Sequence, residues 1–460
     1  MSPTLGIDGL SLAQSVLFAL LGAICAVTVG MAAGGMIGLF DFPGRRIATL
    51  FLIVPIAAPP AFWWIGFVRV PGVPHLHMAG ILPGSIVVGL CFAPVSFLLV
   101  LAAIREVPPN TYEAARLFLR PRQRFLHVLT PLLRSALVGG FLLTAILLLG
   151  ESEIPFLFGF RTVMTDIITG FSRTFSLTSI APMAATLLIL VLIIAGLAVR
   201  PIFRTLLAQP RSGAGAVRRP APPAILLAVA GVLAVTAPLA GYVLPVVRGN
   251  SLLSVKLPAT LETVAWSIGE PVLCAWITML AGVIVGYSLR HSRFMPVLLT
   301  SGFVVFCIPA AALGIGWIGL ARALGNWTAP IVLVHASHLW GLALLGFAAA
   351  FARYPASLAD AAALVPVSRA RGALTFVLPS LAPSLAAISL LVSVLVFSDR
   401  DVASLILPPG AERLMLDLYL FSANAPAQAL GVLAILTIIS AVAAAVLAAA
   451  GPWIALRWRG

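Results

Sequence analysis

Charge is scarce in this chain: 9% of its 460 residues are Asp, Glu, Lys or Arg, against 61% hydrophobic residues. A soluble domain carries roughly a quarter of its residues as charges, so a water-exposed globule of this length is excluded. Lysine is scarcer still, with Lys256 the only one. A phosphate-binding P-loop needs Gly-x4-Gly-Lys-[Ser/Thr], its lysine on the β- and γ-phosphates, and no such loop exists here. If ATP drives this protein, another chain must bind it. Cysteine is rare too, and Cys25, Cys91, Cys274 and Cys307 all fall within apolar runs with no pair at metal or redox spacing. They read as small apolar side chains. No nucleophile–base pairing or metal-ligand spacing supports a membrane enzyme.

Apolar runs fill the chain instead. A bilayer core of roughly 30 Å needs about 20 apolar residues per helix. About eleven runs qualify, near 12–39, 47–70, 81–103, 134–150, 180–199, 221–246, 266–288, 296–320, 329–351, 382–398 and 428–451. No short apolar segment with a cleavage site precedes them, so the first run reads as a retained span. The expected fold is an all-α, polytopic transmembrane bundle. With the residues before the first run placed outside, the inside loops hold 20 of the 28 basic residues but only Asp41, Glu106, Glu113 and Asp360 among the acids. That asymmetry is the positive-inside bias of a membrane protein, and it places the N-terminus outside and the C-terminus in the cytosol. The net charge of +14 is therefore a topology signal rather than a nucleic-acid footprint.

The chain repeats itself. Val107-Pro-Pro-Asn-Thr-Tyr-Glu113-Ala114-Ala115-Arg116, followed by Pro131, matches Tyr354-Pro-Ala-Ser-Leu-Ala-Asp360-Ala361-Ala362, followed by Pro379, at a separation of about 247 residues. Phe42-Pro-Gly-Arg-Arg46 matches His291-Ser-Arg-Phe-Met-Pro296, Pro60-Ala61 matches Pro309-Ala310, and Glu151-Ser-Glu153 matches Asp399-Arg-Asp401, all near the same offset. A steady offset over several landmarks indicates a duplicated unit of five spans. Two five-span units of the same orientation need one extra span between them, which the run 221–246 supplies. The expected domains are a first half over 1–200, a cytosolic linker rich in Arg, Pro, Gly and Ala over 201–220, an extra span over 221–250 and a second half over 251–460. The halves are expected as parallel repeats enclosing a translocation path.

In each repeated loop the acid lies three residues after a helix-capping residue, Asn110 before Glu113 and Ser357 before Asp360, with proline just ahead. This is a helix-start signal, the acid reaching back to free backbone N–H groups. Glu113 and Asp360 can serve as caps alone, or the short helix can also dock on a soluble partner, its alanines allowing close approach. The two roles are compatible.

The loops resemble the Glu-Ala-Ala-x3-Gly-x9-Ile-x-Leu-Pro motif of permease subunits of binding-protein-dependent ABC importers. Asp360-Ala361-Ala362 and Leu378-Pro379 stand in register with that motif, whereas Glu113-Ala114-Ala115 and Pro131 are one residue short. Leu119 and Pro366 stand where the family has glycine. The resemblance implies a coupling helix in each loop, seated in a groove of an ATPase subunit, with Arg116 among the coupling residues. It implies two copies of that ATPase, which bind the ATP and magnesium, a periplasmic solute-binding protein, and a multi-pass place in the bacterial inner membrane. Phe42-Pro-Gly-Arg-Arg46, Glu151-Ser-Glu-Ile-Pro-Phe-Leu-Phe-Gly159 and Ser404-Leu-Ile-Leu-Pro-Pro-Gly410 look like fused double permeases of the ferric-iron group. Thiamine and phosphonate permeases share that layout. The resemblance makes ferric iron the first expected cargo and the chain a transport subunit rather than an enzyme.

Candidate substrate contacts are few. Glu151, Glu153, Asp399 and Asp401 sit at outer span ends, where carboxylates suit a hard cation or a cationic solute. They can equally be solvated, or paired with Arg161, Arg400 and Arg413. Asp166, Glu412 and Asp417 are weaker members of the set. His335 and His338 share a helical face and read as polar contacts between helices, His75 and His77 as exposed, and Trp63 and Trp64 as interface anchors. The span interiors read as almost free of ionisable groups, which argues against an ion-coupled secondary carrier, the alternative class.

Overall fold

In the computed structural model the described residues are 8–70, 79–107, 114–115, 117–208, 219–220, 222–248, 261–324, 328–354, 369–407, 413–422 and 426–457. Nearly all of them are helical. Among the described residues eight helices are long and apolar enough to cross a membrane, and up to eleven spans result if each of three sharply bent pairs counts as one. The fold is an all-α polytopic bundle, as composition requires.

The chain divides into two compact units. The first holds Met1–Lys256 together with Cys307–Ala312 and Phe421–Val432. Its framework is α1 (Gly9–Leu39), α2 (Arg45–Ile53), α3 (Pro60–Val68), α4 (Ile81–Ile104), α5 (Arg134–Leu149), α6 (Glu153–Phe158), α7 (Val163–Thr174), α8 (Leu177–Leu206) and α9 (Pro222–Arg248). Helix α1 packs on α4 and α5, and α8 packs on α5. Asp8 starts α1 as a cap, its carboxylate accepting from the Leu10 amide at 3.1 Å. Two residues after α1, Phe40–Asp41, pair in parallel with Arg219–Pro220.

The second unit comprises Leu257–Phe306, Leu313–Leu420 and Leu433–Gly460. It is built on α10 (Leu261–Leu289), α11 (Met295–Cys307), α12 (Ala310–Leu324), α13 (Thr328–Ala352), α14 (Leu378–Ser398), α15 (Asp401–Ile406), α16 (Leu414–Phe421) and α17 (Ala427–Arg457). Here α10 packs on α13 and α14, and α13 packs on α14. Lipid supplies no hydrophobic drive between helices, so association depends on close backbone approach at small residues. Gly34 and Gly38 of α1 meet Val100 and Ile104 of α4; Gly282 and Gly286, 248 residues on, meet Ala343, Leu344 and Phe347 of α13. A Cβ at Gly34, Gly38 or Gly286 would collide with the facing helix, and one at Gly282 would crowd it.

Further local arrangements recur at the sequence offset. The second and eighth apolar runs are not straight spans: residues Arg45–Ala57 and Pro60–Val68 meet at 105°, and Met295–Cys307 and Ala310–Leu320 at 92°. The Phe62 amide donates to the Pro59 carbonyl and the Ala312 amide to the Pro309 carbonyl, each at 3.0 Å. Pro59, rather than Pro60, is thus the counterpart of Pro309, a correction of one residue to the sequence alignment. A π-helical turn covers Phe125–Leu129 ahead of Pro131, and another covers Ala373–Val377 ahead of Pro379. Proline lacks an N–H and its ring crowds the carbonyl four residues back; a widened turn relieves that crowding.

Candidate functional site

Of the loop residues singled out from the sequence, Glu113, Arg116, Asp360, Ala361 and Ala362 lie outside the described residues, as do His75, His77 and Glu412. The first loop is described at Ala114, Ala115 and 117–120. Ala115 is buried and its carbonyl accepts from the Leu119 amide at 2.9 Å, so the backbone turns helically there. Leu117 and Phe118 project outward at 80% and 84% exposure. Two large apolar side chains thus stand bare side by side in this loop.

The four acids expected at outer span ends divide into two kinds of contact. Glu151 and Asp399 do the same local job, each terminating a span and capping the short helix after it. A Glu151 carboxylate oxygen accepts from the Glu153 and Ile154 amides at 2.9 and 3.3 Å. An Asp399 oxygen accepts from the Val402 amide at 3.1 Å, 248 residues from Ile154. Asp401 pairs with Arg400 at 3.0 Å, the guanidinium lying 3.9 Å from the centre of the Tyr419 ring. Glu153 is buried at the start of α6. Asp166 pairs with Arg161 at 3.0 Å, and Asp8 approaches the same guanidinium at 3.5 Å. Asp166 raises the Arg161 pKa by hydrogen bond and charge. Asp417 is buried in α16.

A serine also recurs. Ser15 Oγ donates to the Ser11 carbonyl at 2.7 Å and accepts from the Val163 amide at 2.8 Å, the first N–H of α7. Ser267 Oγ donates to the Thr263 carbonyl at 2.7 Å and accepts from the Leu414 amide at 3.1 Å, the first N–H of α16. In each unit one span hydroxyl thus anchors a free helix-start amide.

The second unit adds a buried ionic network. Glu270, nine residues into α10, takes Arg413 Nε at 2.9 Å on one oxygen and His335 Nδ1 at 3.0 Å on the other. The opposite ring nitrogen of His335, Nε2, faces Asp399 Oδ2 at 3.6 Å. Glu270 and His335 are 5% and 2% exposed. Beside them lies a cavity of about 20 Å³, bordered by Ser267, Glu270, Asp399 and Arg413, large enough for one water. Burial pushes the Asp399 pKa up, but the facing His335 ring and the hydrogen bond from the Val402 amide outweigh it and hold it below the ordinary aspartate value.

This network corrects the picture of nearly charge-free span interiors. Glu270, within the apolar run 266–288, is not singled out in the sequence, and Arg413 is expected there only as a partner for the acids at span ends in general. The available signal was an acid and a histidine inside apolar runs, where ionisable groups are costly and so seldom incidental. His338 is a polar contact between helices as expected, its Nε2 lying 3.0 Å from the Phe306 carbonyl of α11. Trp63 is packed inside the first unit, its indole donating to the Pro55 carbonyl at 2.9 Å, rather than anchoring at an interface. Among the described residues no group of three or more His, Cys, Asp or Glu is arranged to hold a metal ion.

No curated protein matches the chain. Its residues 26–209, which include the first Glu-Ala-Ala loop and the Glu151–Gly159 segment, match the family of the binding-protein-dependent transport system inner membrane component, which supports a permease of an ABC transport system rather than an enzyme.

Proposed function

We propose that the chain is a fused ABC-importer permease, both halves in one polypeptide, which moves a solute delivered by a periplasmic binding protein. Two copies of a separate ATPase subunit hydrolyse ATP-Mg on its behalf. The observation that carries this beyond the family match is the bare Leu117–Phe118 pair beside buried Ala115, within the loop that matches the family's coupling motif. Segments Glu113–Arg124 and Asp360–Arg371 transmit ATPase closure to the spans, with Glu113, Ala114, Ala115, Arg116, Asp360, Ala361 and Ala362 at the contact. Glu151, Glu153, Asp399 and Asp401 are the candidate groups along the solute path. Ferric iron is the first cargo to assay, with thiamine and phosphonate next. The N-terminus lies outside and the C-terminus in the cytosol.

Mild-detergent purification of the tagged protein from its host, with mass spectrometry of what accompanies it, tests this reading. An ATPase at about two copies per permease is expected. Replacing Leu117 and Phe118 by Asp, or Glu113 and Asp360 by Arg, should remove the ATPase and leave membrane insertion intact. Undiminished co-purification of the ATPase with all four positions altered counts against docking at these loops.

A second reading has one observation in its favour. Glu270, His335 and Asp399 form a chain of ionisable groups between spans, the kind of chain that proton-coupled carriers use. Transport by the chain alone in vesicles, driven by a pH gradient and indifferent to ATP, would put that reading first.

A further inference from the structure

The Glu270–His335–Asp399–Arg413 network asks more of His335 than a neutral imidazole can supply. Its two ring nitrogens face two different carboxylates, at 3.0 and 3.6 Å. A neutral ring has one N–H, so its other nitrogen would turn a lone pair toward a carboxylate. Both contacts are favourable only for the imidazolium. The charges agree: with His335 protonated, two cations (His335, Arg413) meet two anions (Glu270, Asp399) and the set is neutral. Buried charge is strongly disfavoured unless it is balanced, and at His335 the balance comes from charge pairing, since neither ring nitrogen is aligned for a hydrogen bond. Around His335 stand Glu270 and Cys274 from α10, Asp399 ahead of α15, and His338 on its own helix. Arg400 and Asp401 next to Asp399 pair with each other, and Arg413 closes the far side of Glu270.

We propose that His335 is a positioning residue that carries its charge at neutral pH: as an imidazolium it ties Glu270 of α10 to Asp399 at the cap of α15 and, with Arg413 at the start of α16, holds α15 and α16 on α10 and α13. The equivalent place in the first unit has no such tie among the described residues, because α1 and α4 meet there through Gly22, Cys25, Ser85 and Gly89. The lock therefore makes the attachment of α15 and α16 dependent on pH, since deprotonation of His335 leaves two carboxylates facing one arginine.

The full chain in nanodiscs, labelled with ¹⁵N-histidine, tests this. His75, His77, His127, His291 and His338 are replaced by Gln so that His335 alone reports, and the lock itself stays intact. At neutral pH both ring nitrogens should be protonated; a neutral tautomer overturns the proposal. Hydrogen exchange supplies the second readout. Amides of α15 and α16, corrected for intrinsic rates, should lose about tenfold protection as pH rises through the imidazolium's titration. His335→Gln should show the lower protection at every pH. Pairing it with Glu270→Gln leaves Arg413 opposite Asp399, restores charge balance and should recover most of the protection. A double variant as unprotected as His335→Gln would reduce the residue to a packing role and overturn the charge argument.

Discussion

Arg161 and Arg413 each lie within 3.0 Å of a carboxylate, and burial separates their weights. Arg161, with a side chain 65% exposed, holds Asp166 in a setting where water and salt screen the attraction. Arg161→Ala should change the melting temperature of the purified protein by no more than the equivalent of about 0.5 kcal/mol. Arg413, with a side chain 12% exposed, faces Glu270 where water cannot replace it. Arg413→Ala strands a buried carboxylate and should cost about 3 kcal/mol, seen as a large loss in melting temperature or in yield of folded protein. Asp399 adds an acid-side dependence. Its folded pKa is depressed, so its contribution is complete above an unfolded aspartate's pKa of about 3.9 and is lost as pH falls through the folded value. Asp399→Asn should flatten that part of the stability–pH curve; an unchanged acid limb would show that the loss arises elsewhere. At this scale the sequence was only partly legible. Asp399 and His335 drew notice by position and type, but their partner Glu270 did not, because it stands 65 residues from His335 and 143 from Arg413. Pairing over such separations is set by how spans pack, which local spacing does not encode.

At the scale of elements, several short segments depend on single hydrogen-bonded groups. Glu151 caps α6, and its replacement by Ala should cost about 1 kcal/mol, read as faster exchange at the Glu153 and Ile154 amides. Removing the Ser15 hydroxyl should expose the Val163 amide in the same way, as should Ser267→Ala for Leu414. Helix α9, the run between the repeats, packs on α3 and α2 of the first unit. Tyr242 donates to the Phe62 carbonyl at 2.8 Å, and Gly241 lies so close to the Gly66 carbonyl that a Cβ would collide with it. Gly241→Val should separate α9 from α3 and destabilise the first unit by about 2 kcal/mol or more; a variant as stable as the parent would mean the backbone can shift freely. The odd number of spans per repeat leads the sequence reading to expect an extra span here. Its partner helix was not readable, because an all-apolar helix in lipid carries no outward face to predict, and two glycines chose the contact. The bent second and eighth runs were likewise hidden: each is long enough to span straight, and only prolines at 59 and 309 hinted at a turn.

For the whole molecule, orientation is the first quantity to check. A reporter fused at Gly460 should be active only in the cytosol if the loop charges govern insertion; activity on the other side would reverse the topology and with it the side on which Leu117 and Phe118 meet a partner. The sequence by itself determined the class of the molecule. Scarce charge, eleven apolar runs and basic loops leave a helical bundle as the fold, since unpaired backbone groups are not tolerated in a bilayer. The repeated landmarks, too, stand in the sequence itself, because caps, prolines and acids recur at a steady offset. Tertiary structure alone decided which polar groups meet: that Asp399 both caps a helix and faces a histidine, and that Glu270 stands between His335 and Arg413. Composition counts charges, whereas the folded bundle, by removing water from a few of them, makes each of those answer to one particular partner.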